Sequence, residues 1–150
     1  MIKPPGWKHD GSGKLSTDLS VYDFDKMITA IENKDFVDDS YGIPVLSYEN
    51  TLAGVVTQPG LGPLHTEFDG QGNAYTTFFI SSEVVKWSLE TFEVLDRQPT
   101  FYSVGHLMIP GGNSRKPFGK YLVAMNKITK DRYLPTGPEL EHSAQLYDIS

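Results

Sequence analysis

Asp69-Gly70-Gln71-Gly72-Asn73 runs directly into Ala74-Tyr75-Thr76-Thr77-Phe78-Phe79-Ile80. The first five residues are tight-turn types, and the next seven are nearly all apolar, aromatic or β-branched. A run of that kind reads as a central strand, buried on both faces. Ser81-Ser82 then turns the chain into Glu83-Val84-Val85-Lys86-Trp87-Ser88-Leu89. Glu90-Thr91 turns it again, into Phe92-Glu93-Val94-Leu95-Asp96-Arg97. Short strands joined by short turns make an antiparallel meander, which is the content of one propeller blade.

A second cycle follows downstream. His106-Leu107-Met108-Ile109 is its innermost strand, residues 110–117 are a loop by composition, and Lys120 to Lys127 is the next strand. Gln145 to Ser150 begins the third. Upstream, Leu19 to Phe24 alternates as a strand. Met27, Ile28 and Ile31 fit a short helix from Asp25 to Lys34. Residues 35–60 are acidic and then rich in Gly, Pro and Ser, and read as a long surface loop or insertion. Ser20 to Phe24, Val84 to Leu89 and Gln145 to Ile149 share one shape, an aromatic among aliphatic or β-branched residues after polar turn residues. The fold expected is therefore all-β, a partial β-propeller of about two blades of antiparallel meander plus part of another. Residues 1–49 form an irregular start with one strand and a short helix, a partial blade. Residues 50–150 form consecutive blades, truncated at the C-terminus. With blades missing on both flanks, Tyr75, Phe78, Phe79, Val85 and Trp87 are expected exposed or half-packed, and the chain marginally stable alone.

Composition narrows the function. The chain has 150 residues, 39% hydrophobic and 21% charged, which is a globular balance. A net charge of −6 argues against a nucleic-acid surface, which needs a basic face. The absence of cysteine excludes disulfides, thiolate metal sites and cysteine nucleophiles. No stretch reaches the roughly 18 apolar residues of a membrane span, and no signal-peptide run opens the chain. Met1 to Gly6 carries no capping or strand pattern, and the last residues stop within a strand, so the chain is expected to be part of a longer protein.

Two histidines stand in glycine- and proline-framed turns that open strands, His65 in Gly60-Leu61-Gly62-Pro63-Leu64-His65 and His106 in Ser103-Val104-Gly105-His106. They lie 41 positions apart, from 65 to 106, about one blade. Innermost strands of consecutive blades converge on one axis, so the two imidazoles can meet at one metal site. Read alone, each is equally a structural histidine, its ring hydrogen-bonded to a nearby backbone group. The metal reading needs a neutral ring whose second nitrogen is held by an acceptor. Glu67 and Asp69 are candidates for that acceptor, and Glu67 shares a strand face with His65. Gly105 allows close backbone approach beside His106. Lys127 ends a strand and is either an ordinary strand-end lysine or a source of positive charge or a proton. His9 and His142 read as solvated. No Gly-x-Ser-x-Gly elbow, phosphate loop or His-Glu-x-x-His occurs.

The stretch from Gly60 to Thr77, then Ser82 to Trp87, Gly105-His106-Leu107 and Asn126 to Arg132, resembles nitrous-oxide reductase in the same order. Together they cover residues 50–150. The short gap between the histidines, with Met108 to Gly112 after the second, resembles the Sec-exported branch. The resemblance implies a periplasmic, head-to-tail homodimer with an N-terminal seven-bladed propeller. It implies a tetranuclear copper–sulfide cluster held by seven histidines, with His65 and His106 as two of these ligands. It implies Lys127 as a catalytic residue beside the cluster, stabilising bound substrate or supplying a proton. Nitrous oxide would be the substrate, and a cytochrome or cupredoxin the electron donor. A C-terminal cupredoxin domain with a dinuclear copper centre is implied and does not occur in this sequence. A calcium site is implied too, with Glu139 or Glu141 as its carboxylate. Five of the seven cluster histidines have no counterpart here, and Pro4-Pro5-Gly6 stands where a ligand turn is expected. The chain alone is therefore expected to be inactive.

The alternatives are a non-catalytic propeller segment with structural histidines and a calcium-dependent lactonase with axial carboxylates. Geometry separates them. A shared metal site requires both imidazoles on adjacent innermost strands, aimed at one axis.

Overall fold

The computed structural model describes residues 9–12, 17–127 and 143–150, the first four through their backbone alone. Among the described residues twelve strands and two helices follow in order: β1 His9–Ser12, β2 Leu19–Asp23, α1 Phe24–Glu32, β3 Phe36–Ser40, β4 Ile43–Leu46, α2 Tyr48–Thr51, β5 Leu52–Val56, β6 Pro63–Phe68, β7 Asn73–Phe78, β8 Glu83–Ser88, β9 Val94–Pro99, β10 Val104–Met108, β11 Tyr121–Asn126 and β12 Ala144–Asp148. The strands form antiparallel sheets ordered β1-β2-β5, β6-β7-β8-β9 and β10-β11-β12, plus the hairpin β3-β4. This is the meander architecture expected of consecutive propeller blades. The three stretches of similar sequence fall on β2, β8 and β12, of which β2 and β8 are interior strands and β12 is an edge strand.

Residues 35–60 differ from the loop expected. They fold as the β3-β4 hairpin, the short helix α2 and the strand β5, which pairs with β2. The hairpin turns at Tyr41 and Gly42, both with positive φ (55° and 82°), the backbone of a type I′ turn. Asp39 Oδ1 accepts from Gly42 N at 2.8 Å and closes it. A tyrosine in the first turn position hid the usual Asn-Gly or Asp-Gly signal. Helix α1 forms where expected, its start capped by Asp23, which accepts from Asp25 N and Lys26 N. Its apolar residues Ile28 and Ile31 face solvent.

Two apolar clusters hold the sheets together. Leu19, Val21 and Val56 of the first sheet pack on Phe68, Ala74 and Trp87 of the second. Tyr75 and Val84, on the second sheet's other face, pack on Val104, Leu107, Ile109, Leu122 and Ala124 of the third. The alternation of β7 and β8 divides their side chains between the two clusters. The middle sheet is therefore covered on both faces. Tyr75, Phe78, Val85 and Trp87, expected exposed or half-packed, are buried, and Phe79 is partly buried. The physical reason is that the middle blade finds both neighbours within this chain. Exposed apolar side chains lie instead on α1 and the β3–β4 hairpin, among them Ile28, Ile31, Val37 and Ile43, and on the far face of the third sheet. Met108, Tyr121, Met125 and Leu146 share that face by register and are exposed.

Trp87 joins packing to polar satisfaction. Its Nε1 donates to Thr76 Oγ1 at 2.9 Å, and Thr76 shares a hydrogen bond with Thr66 Oγ1 at 2.8 Å. Trp87→Ala opens a cavity between two blades and is expected to lower unfolding free energy by about 3–5 kcal/mol. Leu146→Ala, on the exposed face, should change it by less than about 0.5 kcal/mol. Urea unfolding of both variants measures the contrast.

Candidate functional site

The site begins with the turn that sets the β6–β7 register. Asp69 is buried, and its Oδ1 accepts from Gln71 N (2.7 Å) and Asn73 N (3.2 Å). Its Oδ2 accepts from Asn73 Nδ2 at 2.7 Å and Tyr75 OH at 3.4 Å. Gly70 and Gly72 supply the positive φ this turn demands (76° and 91°). With the turn fixed, His65 stands opposite Thr77, just after an irregularity in the β6–β7 ladder. His65 N donates to Thr77 Oγ1 at 3.3 Å, and Thr77 Oγ1 donates to Gly105 O at 2.6 Å. One buried hydroxyl thus joins β6, β7 and β10.

β10 is the innermost strand of the next sheet and packs on β6 and β7. Its pairing with β11 shifts between Val104 and Leu107. His106 lies in that irregular stretch, and such bulges re-aim side chains at functional rims. The His65 and His106 rings stand 5.3 Å apart between centroids, at 79° to each other. The two histidines therefore meet from β6 and β10, the first strands of neighbouring sheets.

Both nitrogens of His65 face protein groups. Nδ1 accepts from Leu107 N at 3.2 Å, which puts the proton of the neutral ring on Nε2. Nε2 lies 3.5 Å from Glu67 Oε1, a contact longer than a hydrogen bond. Burial, then the charges of His106 and Lys127, hold the His65 ring below the usual histidine range. Glu67 is itself buried, and burial pushes its carboxyl up to about 7, opposed by a hydrogen bond from the Ile109 backbone. Lys127 follows β11 directly and is exposed, its N donating to Ser103 O at 3.0 Å.

Of the two acceptors read as candidates, Glu67 lies against the ring and Asp69 is committed to its own turn. Sequence reasoning did not find the role of Gly112. A Cβ there would overlap Glu67 Oε2, so the second glycine of Gly111-Gly112 is the seat of that carboxylate. It also missed Thr77, which the adjacent pair Thr76-Thr77 in an otherwise apolar run does not single out. Glu139, Glu141 and His142 lie outside the described residues, as does the side chain of His9. Among the described residues no set of three or more histidine and carboxylate groups could hold a metal ion. No helix among them is long and apolar enough to cross a membrane.

Glu67 gives the site a pH signature. Its folded-state value lies above the ordinary 4.5, so the folded state binds the proton more tightly. Its contribution to stability is complete below pH 4.5 and is lost as pH rises to about 7. His65, shifted down, acts in the opposite sense and is common to both proteins of a Glu67→Gln comparison. Glu67→Gln should therefore match the parent near pH 4.5 and exceed it above pH 7 by on the order of 2 kcal/mol. Urea unfolding across that range tests it; a difference independent of pH is the contrary result.

Comparison with known proteins agrees with this architecture. The family profile described as nitrous oxide reductase propeller repeat matches residues 97–150. The nitrous-oxide reductase of Stutzerimonas stutzeri is 39% identical over 93% of this chain, and that of Pseudomonas fluorescens 38% over 93%. That of Cupriavidus necator is 36% identical over the same share. The chain spans 22% of the length of each of these relatives. Hydrazine synthase of Kuenenia stuttgartiensis superposes with a TM-score of 0.51, over 98% of this chain and 44% of that one. At 11% identity that likeness speaks for the fold alone. With a propeller repeat matched in its last third and three reductases aligned along nearly all of it, the chain is similar to a propeller segment of the nitrous-oxide reductases.

Proposed function

We propose that the chain acts as the blades of a copper-dependent reductase that carry two ligands of its cluster, His65 and His106. The reaction is the reduction of nitrous oxide to dinitrogen and water, with two electrons and two protons. The observation that carries this reading is the 5.3 Å approach of two imidazoles from neighbouring innermost strands. The nitrous-oxide reductases that the chain resembles supply the reaction.

The residues present fit copper as part of a donor set. Imidazole suits copper, and the depressed pKa keeps the His65 ring neutral; copper would reach its Nδ1 lone pair by displacing the Leu107 N–H. Two imidazoles do not complete a tetranuclear copper–sulfide cluster, so further ligands come from outside the described residues. Copper, when bound, supplies the electrons and the position at which a weak ligand such as nitrous oxide is held.

The chain's own residues orient and balance charge. The Leu107 N–H and the Glu67 carboxyl bracket the His65 ring from its two nitrogens, which fixes its plane. A metal held through either nitrogen displaces one of these contacts. The Lys127 ammonium favours negative charge developing on oxygen as the N–O bond cleaves, and it holds a proton at Nζ. We extend the same proposal to a periplasmic, homodimeric parent fed by a cytochrome or cupredoxin, with a dinuclear copper centre in a further domain. The assignment of residues 50–150 to consecutive blades and 1–49 to a partial one belongs to it as well.

Copper(I) titration against a chelating competitor tests the ligand assignment. The chain should bind copper, and His65→Ala and His106→Ala should each weaken binding at least about tenfold. Copper binding unchanged in the double variant overturns it. Copper near four per chain with nitrous oxide turnover would overturn the expectation that the chain alone is inactive.

A further inference from the structure

Gly105 is buried in β10, one residue before His106. Its backbone is not in the left-handed region, so conformation does not call for glycine there. Space does. A Cβ at Gly105 would overlap the Cγ, Cδ and Cε carbons of Lys127. Three successive methylenes lie in its way, so rotating the end of the side chain does not clear it. The root of that side chain is pinned as well, because Lys127 N donates to Ser103 O, two residues before Gly105. On its other side the Gly105 carbonyl is held by Thr77 Oγ1 at 2.6 Å. Withdrawing either strand would break one of these bonds.

We infer that Gly105 is a positioning residue for Lys127. The missing side chain is the groove in which the lysine stem lies, and that groove delivers the ammonium beside the His65–His106 pair. The effect of the lysine charge on His65 is consistent with this placement. The inference rests on the role given to Lys127 above and adds the device that aims it.

The test uses the metal-free chain and Lys127 resonances assigned by NMR. The parent should show nuclear Overhauser contacts from the Lys127 methylenes to the Gly105 α protons, and from Lys127 Hε to imidazole ring protons. Gly105→Ala should lose the imidazole contacts while the amide spectrum stays folded, with a melting temperature lower by about 5 °C. Lys127→Ala should remove that penalty in the double variant. Lys127→Met, which keeps the stem without the charge, should retain it. Gly105→Ala that keeps the Lys127–imidazole contacts overturns the inference, as does an equal penalty in the Lys127→Ala background. If Gly105→Ala fails to fold, the Gly105→Ala/Lys127→Ala double variant decides: folding supports the groove, and failure overturns it. None of these readouts needs copper, so the ligand assignment stands or falls separately by its own titration.

Discussion

The Thr77 hydroxyl is the joint on which the site depends. It receives the His65 backbone N–H within its own sheet and donates to the Gly105 carbonyl of the next. The threonine is fully buried, and a buried hydroxyl left without partners would cost about 1–3 kcal/mol. The two innermost strands are therefore held at one separation and one register. An apolar residue of similar volume would fill the space and lose that register. The apolar cluster of Tyr75, Val84, Leu107 and Leu122 supplies the bulk of the adhesion between the sheets. It is non-directional, whereas the hydroxyl fixes which backbone atoms meet. The imidazole separation follows from the second property.

Close approach explains why glycine recurs around the imidazoles. Gly105 gives way to the Lys127 stem and Gly112 to the Glu67 carboxylate. Neither has a backbone in the left-handed region, in contrast to Gly70 and Gly72 in the hairpin turn. Two kinds of glycine thus do different work within a short stretch. Those in the turn set the direction of the chain, and those at the site leave room for charged side chains to converge. The convergence is a property of side-chain volume, so it is invisible to a reading of turns and strand periodicity.

What was legible in the sequence follows the same division. Strands β6 to β9 and their turns were readable because a nearly continuous apolar strand between turn residues has few other interpretations. The pairing of His65 with His106 was readable from their spacing once a blade was assumed. The β3–β4 hairpin was not, because Tyr41 takes a conformation usually given to Asn, Asp or Gly. Burial of Phe78 and Trp87 was misjudged because β1, β2 and β5 assemble a third sheet from sparse signals. Pairing β2 with β5 spans the whole of α1 to α2, and no local pattern announces a pairing at that separation. Glu67 was readable as a neighbour of His65 by strand period, but its choice over Asp69 was decided by the Asp69 turn network.

The charges of the site work against those of the chain as a whole. A net charge of −6 would favour protonated histidine in a general field, yet His65 is shifted the other way. Burial contributes most, and the neighbouring His106 and Lys127 charges add to it. The nearest carboxyl should oppose them, but Glu67 has been pushed into the neutral range by its own burial. A carboxyl that is half-protonated near neutrality carries less negative charge to the ring than a surface carboxylate would. Burial therefore acts twice, disfavouring the imidazolium directly and muting the group that would stabilise it. The product is a neutral imidazole held in one plane, its single lone pair, on Nδ1, engaged by the Leu107 N–H.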